Sequence, residues 1–406
     1  MEAAPASYFQ NQYKEKMKNN VMKIYRFRVY PSKTQERLLG THLWLAKNLW
    51  NNLLEHCKET YKSFDKFPTR NTIAAMTKES GMYSQVAQGL GSSIEKGIWR
   101  FVKLRTIGDK KAGFQRFKST NNMNSLFYPQ SGFSLGKKLK VTPFGEINIV
   151  QHREIKGKIK TLTLKRTPSG KWFACFTVKE IPTIKPSNGK PRVGMDLGLK
   201  HLAAFSNGMI IQNPRHIRKH QKKITFLQRK KDSKKKGSRN REKARRLVAI
   251  EFEKLKNTRR DFLHRLSHNL ANSYSFIALE ALTTQELITQ GFGKQINDAS
   301  WGELTNMLRY KAESAGCEVL FVNPEDTTRM CCQCGSKKDM PLTVRTYDCL
   351  ICGNHMDRDL NAAHNILKRA TEGHSGSKDC EDVCMETSMK QEAHAIYMRE
   401  HVTSPQ

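Results

Sequence analysis

The amino-acid sequence predicts a multidomain α+β protein, and three observations carry that expectation. Its 406 residues exceed the roughly 100 to 200 that one domain usually takes. Helical spacing over 31–110 is followed by six short runs of alternating apolar and polar residues up to Val178, separated by Gly, Pro, Asn or Ser. Beyond 191, long amphipathic helical patterns separate apolar strands.

Residues 1–21 read as a flexible leader with Lys14, Lys16 and Lys18, lacking the apolar stretch of a secretory signal. Lys23-Ile-Tyr-Arg-Phe-Arg-Val-Tyr30 alternates apolar and basic residues, which predicts a strand with one face on a core and Arg26 and Arg28 in an exposed row suited to a phosphate backbone. Pro31 ends it, and Ser32 with Gln35 makes a capping box for a helix. Leu39, Leu43, Ala46, Trp50, Leu53 and Cys57 continue at helical spacing, with Gly40 as a break and with Trp50 and Trp99 as core anchors. This defines a small helical domain, 31–110, inserted after the first strand. The six runs from Leu126-Phe-Tyr to Lys171–Val178 then predict a small antiparallel barrel from 22–30 and 111–190. Its polar positions are often Lys, Arg, Thr or Asn, which suits a nucleic-acid-binding barrel.

Arg192-Val-Gly-Met-Asp196-Leu-Gly198 is an apolar strand interrupted by one carboxylate, and Leu202 to Phe205 lead into an Asn207-Gly208 hairpin turn. An acid inside a strand is costly to bury without compensation. A metal ion would supply it; a solvent-facing edge is the alternative. Helices are expected at 214–232 and 239–273, joined at Lys234-Lys-Lys-Gly-Ser238. Their apolar stripes carry Ile217, Ile224 and Leu227, then Val248, Phe252, Leu255, Phe262 and Leu266, with many basic residues off those stripes. A second apolar strand ends on Glu280. A helix at 301–315, a strand at 319–322 and a helix at 360–368 complete a domain of 191–325 and 355–369, interrupted by a cysteine-bearing segment at 326–354. The tail, 370–406, is acidic and aperiodic and reads as disordered, although Cys380 and Cys384 within it are metal-capable.

The net charge of +34 implies a polyanionic partner, for which nucleic acid is the natural candidate. The charge is also placed: 215–246 holds sixteen basic and two acidic residues, whereas 370–406 holds three basic and seven acidic. Lys222, Lys223, Arg229, Lys230, Lys234, Lys235, Arg239, Arg241 and Arg245 are therefore expected to line a cationic helical hairpin. With 38% hydrophobic residues and no run of about 18 apolar ones, the chain is expected to be cytoplasmic, without a membrane partner and monomeric.

Of the ten cysteines, Cys57, Cys175 and Cys317 read as small core residues. Cys331-x-x-Cys334 and Cys349-x-x-Cys352 have the spacing of a zinc ribbon, a closed tetrahedral site with Gly335 and Gly353 where each knuckle turns. Cys332 is left over. Next comes Asp357-Arg-Asp359-Leu-Asn361-Ala-Ala-His-Asn365, in which Asp359 serves either as a helix cap or as a third carboxylate after Asp196 and Glu280. Such a cluster repels itself unless cations hold it, and Mg²⁺ prefers oxygen ligands. Two such ions would serve a phosphodiester displacement.

The Gly-Met-Asp196-Leu-Gly198 strand, Ala-Leu-Glu280, the paired Cys-x-x-Cys and Asp359-Leu-Asn-Ala-Ala-His-Asn-Ile-Leu, in that order, resemble the split RuvC nuclease of the TnpB family. The resemblance spans nearly all of 22–369. It implies an RNase H-like (RuvC) α/β nuclease domain with a zinc ribbon, a wedge-like β-barrel and a helical recognition insertion. It further implies an RNA-guided DNA endonuclease, transposon-encoded, with a noncoding guide RNA and both double-stranded and displaced single-stranded DNA as partners. Asp196, Glu280 and Asp359 match the catalytic trio, with Asp357 a rival to Asp359; the four paired cysteines match the zinc ligands. The family's Thr-Ser-Gln before the first cysteine pair is here Thr327-Thr328-Arg329. A miniature type V CRISPR effector is a close variant. A nuclease-inactive DNA-binding repressor is disfavoured by the three carboxylates, and a DNA-joining transposase by their Asp, Glu, Asp order.

Overall fold

The computed structural model describes residues 21–109, 111–180, 185–282, 293–341 and 344–372. The leader and the tail with Cys380 and Cys384 lie outside these. Two compact units divide the chain after Pro182. No helix among the described residues is long and apolar enough to cross a membrane.

The first unit begins with strand β1 (Val21–Tyr30) and helices α1 (Lys33–Phe64), α2 (Arg70–Lys78) and α3 (Ser84–Thr106). Strands β2 (Ser125–Tyr128), β3 (Phe133–Leu135), β4 (Leu139–Val141), β5 (Gly145–Val150), β6 (Lys158–Arg166) and β7 (Trp172–Glu180) follow, so all six expected runs are strands. They pair antiparallel in the order β2-β6-β7-β1-β5-β4-β3, a nearly closed, barrel-like sheet. Tyr128 at one end of that order donates its hydroxyl to the Thr142 carbonyl near the other. Tyr25, Phe27 and Val29 of β1 point into the core, as the period of two requires.

The capping box forms: Ser32 Oγ accepts from the Gln35 amide and Gln35 Oε1 accepts from the Ser32 amide. Two expectations fail here. Gly40 does not break α1, which runs through it for 32 residues; a single glycine costs about 1 kcal/mol, and the buried row from Leu39 to Cys57 outweighs that. Trp99 is 68% exposed, because Ile94 and Ile98 turn the buried face of α3 away from it. Trp50 is buried, and its indole donates to the Arg116 carbonyl.

In the second unit, β8 (Arg192–Leu197), β9 (His201–Phe205) and β10 (Ile210–Gln212) form a meander whose last turn holds Gly208 at φ +83°. Helices α4 (His216–Asp232) and α5 (Arg239–Ser273) lead to β11 (Phe276–Glu280), and α6 (Gly293–Ala299) and α7 (Trp301–Ala315) lead to β12 (Glu318–Val322). A two-stranded ribbon, β13 (Thr346–Asp348) and β14 (His355–Asp357), precedes α8 (Arg358–Thr371). The main sheet has the order β10-β9-β8-β11-β12, with β8, β11 and β12 parallel.

Parallel strands are covered on both faces, which is why β8 and β11 are apolar almost throughout. Val193, Met195, Ile277 and Leu279 share one core with residues of α5 and α7, including Leu263, Leu270, Leu304 and Leu308. The alternate residues, Gly194, Asp196, Ala278 and Glu280, belong to the opposite face by the strand's period of two, and there Ala278 packs with Ile366 of α8. Phe252, expected on the apolar stripe of α5, is 45% exposed, since the stripe that packs is Val248, Glu251 and Leu255.

Candidate carboxylate and cysteine sites

Strand register brings the first two carboxylates together. Gly194 pairs with Ala278 and Met195 with Leu279, so the next step places Asp196 beside Glu280 at the carboxyl ends of two parallel strands. Adjacent strands lie about 4.8 Å apart. In open α/β sheets, sites gather at that end.

Helix α8 supplies the third. A Cβ on Gly194 would meet the Ala363 carbonyl oxygen at 2.0 Å and the Leu367 amide at 2.8 Å, so the missing side chain is what lets the helix backbone lie on β8. Asp359 is one helical turn, about 6 Å, before Ala363, and Asp196 is two strand residues, about 6.6 Å, after Gly194. The two steps match when helix and strand run oppositely. Gly194→Ala is therefore expected to lower the melting temperature by several degrees, consistent with overpacking losses of about 1–3 kcal/mol; scanning calorimetry checks it.

Asp196 and Asp359 are both buried. Burial raises the Asp196 carboxyl well above its ordinary range, and the charges of Glu280 and Asp359 raise it further, against an opposing effect of Arg358. Burial also raises Glu280, opposed by a hydrogen bond from the Thr327 hydroxyl. Asp359 Oδ1 lies 3.5 Å from both Arg345 and Arg358. A buried carboxyl whose charged form is opposed by two neighbouring acids suits a hard divalent cation. Their oxygens are held less tightly together than the cysteine sulfurs, which form the group gathered to ligand spacing among the described residues.

Asp357 and Asp359 occupy different positions at the start of α8. Asp357 is the N-cap of α8, its Oδ1 accepting from the amides of Asp359 and Leu360 at 2.8 and 3.3 Å. The expectation that Asp359 serves as cap is thus corrected: it sits one step inside the helix, where its charge acts on Asp196.

The two cysteine knuckles repeat one pattern. The Gly335 amide donates to the Cys331 carbonyl and the Gly353 amide to that of Cys349, with both glycines at positive φ, +76° and +73°. The four Sγ atoms lie within 4.8 Å of one another. The Cys331–Cys352 and Cys334–Cys349 separations are each 3.6 Å, far longer than a disulfide at about 2.05 Å. They approximate the edge of about 3.8 Å of a tetrahedron with 2.3 Å metal–sulfur bonds. A hydrogen bond with Ser336 holds the Cys349 thiol down at about 6, favouring the thiolate that binds metal. Cys332 stands outside the quartet, near Met356 and Asn354.

The expected cationic residues divide by what they already touch. On the outer face of β1, Arg26 stacks on Phe173 at 3.7 Å and Arg28 lies 5.2 Å from the same ring while donating to the Trp172 carbonyl. On the hairpin, Lys222, Arg229, Lys230, Lys234, Lys235 and Arg239 are exposed. Arg241 is largely consumed by the turn, bonding the Lys231 and Lys234 carbonyls and Asp232. Arg245 pairs with Glu242, and Lys223 with the buried Glu251. Sequence reasoning missed Thr327, Arg345, Arg358 and Phe173. The nearest signal was the departure at 327–329.

Three family profiles match separate parts of the chain. They are OrfB_IS605, described as "Probable transposase", over residues 174–290, the "Cas12f1-like, TNB domain" over 301–366, and a "Helix-turn-helix domain" over 17–66. In the last stretch the described residues form one strand and one continuous helix rather than two helices and a turn. A Streptomyces pristinaespiralis protein named "Putative RNA-guided DNA endonuclease" is 29% identical over 86% of this chain and 90% of its own length. An Escherichia coli (strain K12) protein of the same name with the suffix InsQ is 26% identical over 85% and 92%. Among solved structures, a Cas12f1 chain from a complex with single guide RNA and target DNA superposes with a TM-score of 0.55 at 14% identity, covering 86% of this chain and 99% of that one. Two of the three profiles are those of OrfB-type proteins of IS605-like elements, which is the class the matches indicate. The chain belongs to the TnpB family.

Proposed function

We propose that the protein is an RNA-guided DNA endonuclease encoded by a transposon. The observation that carries this is the convergence of Asp196, Glu280 and Asp359, from three distant segments, at the carboxyl end of a parallel sheet, with Asp196 strained by burial and by the other two. The names of the relatives support the same reading. In it the second unit is an RNase H-like nuclease domain of the RuvC type, and the three carboxylates hold Mg²⁺, with two ions the expected number. Bound Mg²⁺ would stabilise charge on the attacking and leaving oxygens of the phosphodiester. Arg345 and Arg358 flank Asp359 and orient its carboxylate, and the buried strands keep the other two carboxylates fixed.

One structural zinc on Cys331, Cys334, Cys349 and Cys352 closes the ribbon; four thiolates leave no open position for chemistry. The partners are a guide RNA and a DNA target that passes from duplex to displaced single strand. The exposed cations on α4 and α5 and the Arg26–Phe173–Arg28 stack are backbone-binding surfaces, with base pairing to the guide supplying sequence. Cleavage takes place beside a short target-adjacent motif, by a monomer in the cytoplasm. A nuclease-inactive repressor would not need three acids, two of them buried, at one end of a sheet. The close variant, a CRISPR effector, shares this chemistry and differs in genomic surroundings.

The reading is tested by sequencing the RNA that co-purifies with the protein and by supplying target DNA with and without Mg²⁺. A single noncoding RNA species and Mg²⁺-dependent cutting are expected; cutting by protein stripped of RNA would overturn the reading. A further expectation separates the two neighbouring acids. Asp357→Ala should cost about 1 kcal/mol of stability, the usual loss for an N-cap, and leave cleavage within about threefold, whereas Asp359→Ala should abolish cleavage. Melting curves and cleavage rates of the two variants decide it.

A further inference from the structure

We propose that Thr327 is a positioning residue of the carboxylate site: its hydroxyl fixes Glu280 for divalent-cation binding, and the strap that carries it into the first cysteine knuckle is pinned to the Asp359 helix. The inference rests on the nuclease reading above.

Thr327 lies in the stretch between β12 and Cys331 and is 2% exposed. Its hydroxyl donates to Glu280 Oε1, with the Pro324 carbonyl a second acceptor at 3.1 Å. The hydroxyl has one proton, and the carboxylate is the stronger acceptor of the two. The backbone around it is held from α8. Asn365 Nδ2 donates to the carbonyls of Thr327 (2.9 Å) and Met330 (2.6 Å), and Asn361 Nδ2 donates to Met330 (2.7 Å). The Cys332 amide returns a hydrogen bond to Asn361 Oδ1 at 3.0 Å. Asn361 and Asn365 are both buried and lie one turn apart on the helix that presents Asp359.

The strap therefore touches Glu280 through a side chain and the helix of Asp359 through its backbone. Partners of ligating carboxylates orient them, and their loss typically weakens metal binding by 10–100-fold. A threonine that merely filled the core would be replaced by valine, its near isostere, without effect on metal binding. Valine in place of a bonded hydroxyl leaves Glu280 free to rotate and buried beside a methyl group. The ribbon thereby acquires a second role, since its knuckles hold the strap that holds Glu280.

The test uses the full-length, zinc-loaded protein and Mn²⁺ as the probe ion, with free Mn²⁺ followed by electron paramagnetic resonance. Binding by Asp196→Ala protein is subtracted as background. Thr327→Val should weaken the Asp196-dependent Mn²⁺ site about tenfold and raise the Mg²⁺ needed for half-maximal target cleavage by a similar factor. Thr327→Ser should restore both to within about twofold. Zinc content should match the parent. If the valine chain does not accumulate, Thr327→Ala, which leaves space instead of a methyl group, takes its place with the same expectation. Parent-like Mn²⁺ affinity in the valine or alanine protein, or serine as damaging as valine, overturns the proposal. A parent protein that shows no Asp196-dependent Mn²⁺ site and no cleavage overturns the nuclease reading instead.

Discussion

Asp196→Ala protein, loaded with its guide RNA, is expected to leave target DNA uncut, with a rate loss on the order of a thousandfold or more, the scale on which removal of one charge-stabilising group acts in an active site. Guide-RNA affinity should change by less than about twofold, because the exposed cations on α4 and α5 belong to other segments of the chain and sequence-independent affinity comes from phosphate contacts. The variant should also be at least as stable as the parent without divalent ions. Asp196 is buried, and its carboxyl is raised first by burial and then by Glu280 and Asp359. Removing it relieves a repulsion that only a cation offsets. Calorimetry in EDTA, RNA binding and cleavage with Mg²⁺ read the three effects separately. Residual Mg²⁺-dependent cutting by the purified variant would remove Asp196 from the site.

A chain with both Cys349 and Cys352 replaced by serine is expected to lose its one zinc ion and, with it, cleavage. Structural zinc in small domains contributes about 10 kcal/mol or more of apparent binding free energy. Little besides Met340 and Tyr347 packs with Cys331 and Cys349 in the small cluster of the ribbon. Without the ion the knuckles open, and the effect travels through covalent continuity to Met330 and Thr327, which are bonded to Asn365 and Glu280. Metal analysis should give about one zinc per parent chain and none in the variant. Hydrogen exchange should rise across 326–357 while β8 and β11 stay protected. Full zinc content in the double variant would place the ion elsewhere.

The strands, the long helices and the cysteine spacing are legible in the sequence because each is a local, periodic signal. Asp196 and Glu280 stand out as acids in apolar runs, and the register of β8 against β11 explains why they sit two residues beyond Gly194 and Ala278. Gly194 itself is legible only in retrospect, since its function is the close approach of the Ala363 carbonyl from a segment far along the chain. Thr327, Arg345 and Arg358 escape notice for the same reason: a threonine before a knuckle and two arginines in a basic chain carry no local mark, and their roles arise from contacts with Glu280 and Asp359. Trp99 and Phe252 are exposed against expectation because periodicity finds the apolar side of a helix without fixing where its packed edge stops. The assignment of Arg241 and Arg245 to a nucleic-acid surface overlooks partners one helical turn or one hairpin turn away.

Exchange of the guide is the most direct test of the central claim. Purified protein is reconstituted with its noncoding RNA carrying either of two unrelated guide segments, and each complex is offered both matching DNA targets in Mg²⁺. The expected result is that each complex cuts the DNA matching its own guide and spares the other, and that Asp196→Ala protein cuts neither. Cutting that ignores the guide, or that persists without RNA, would contradict it.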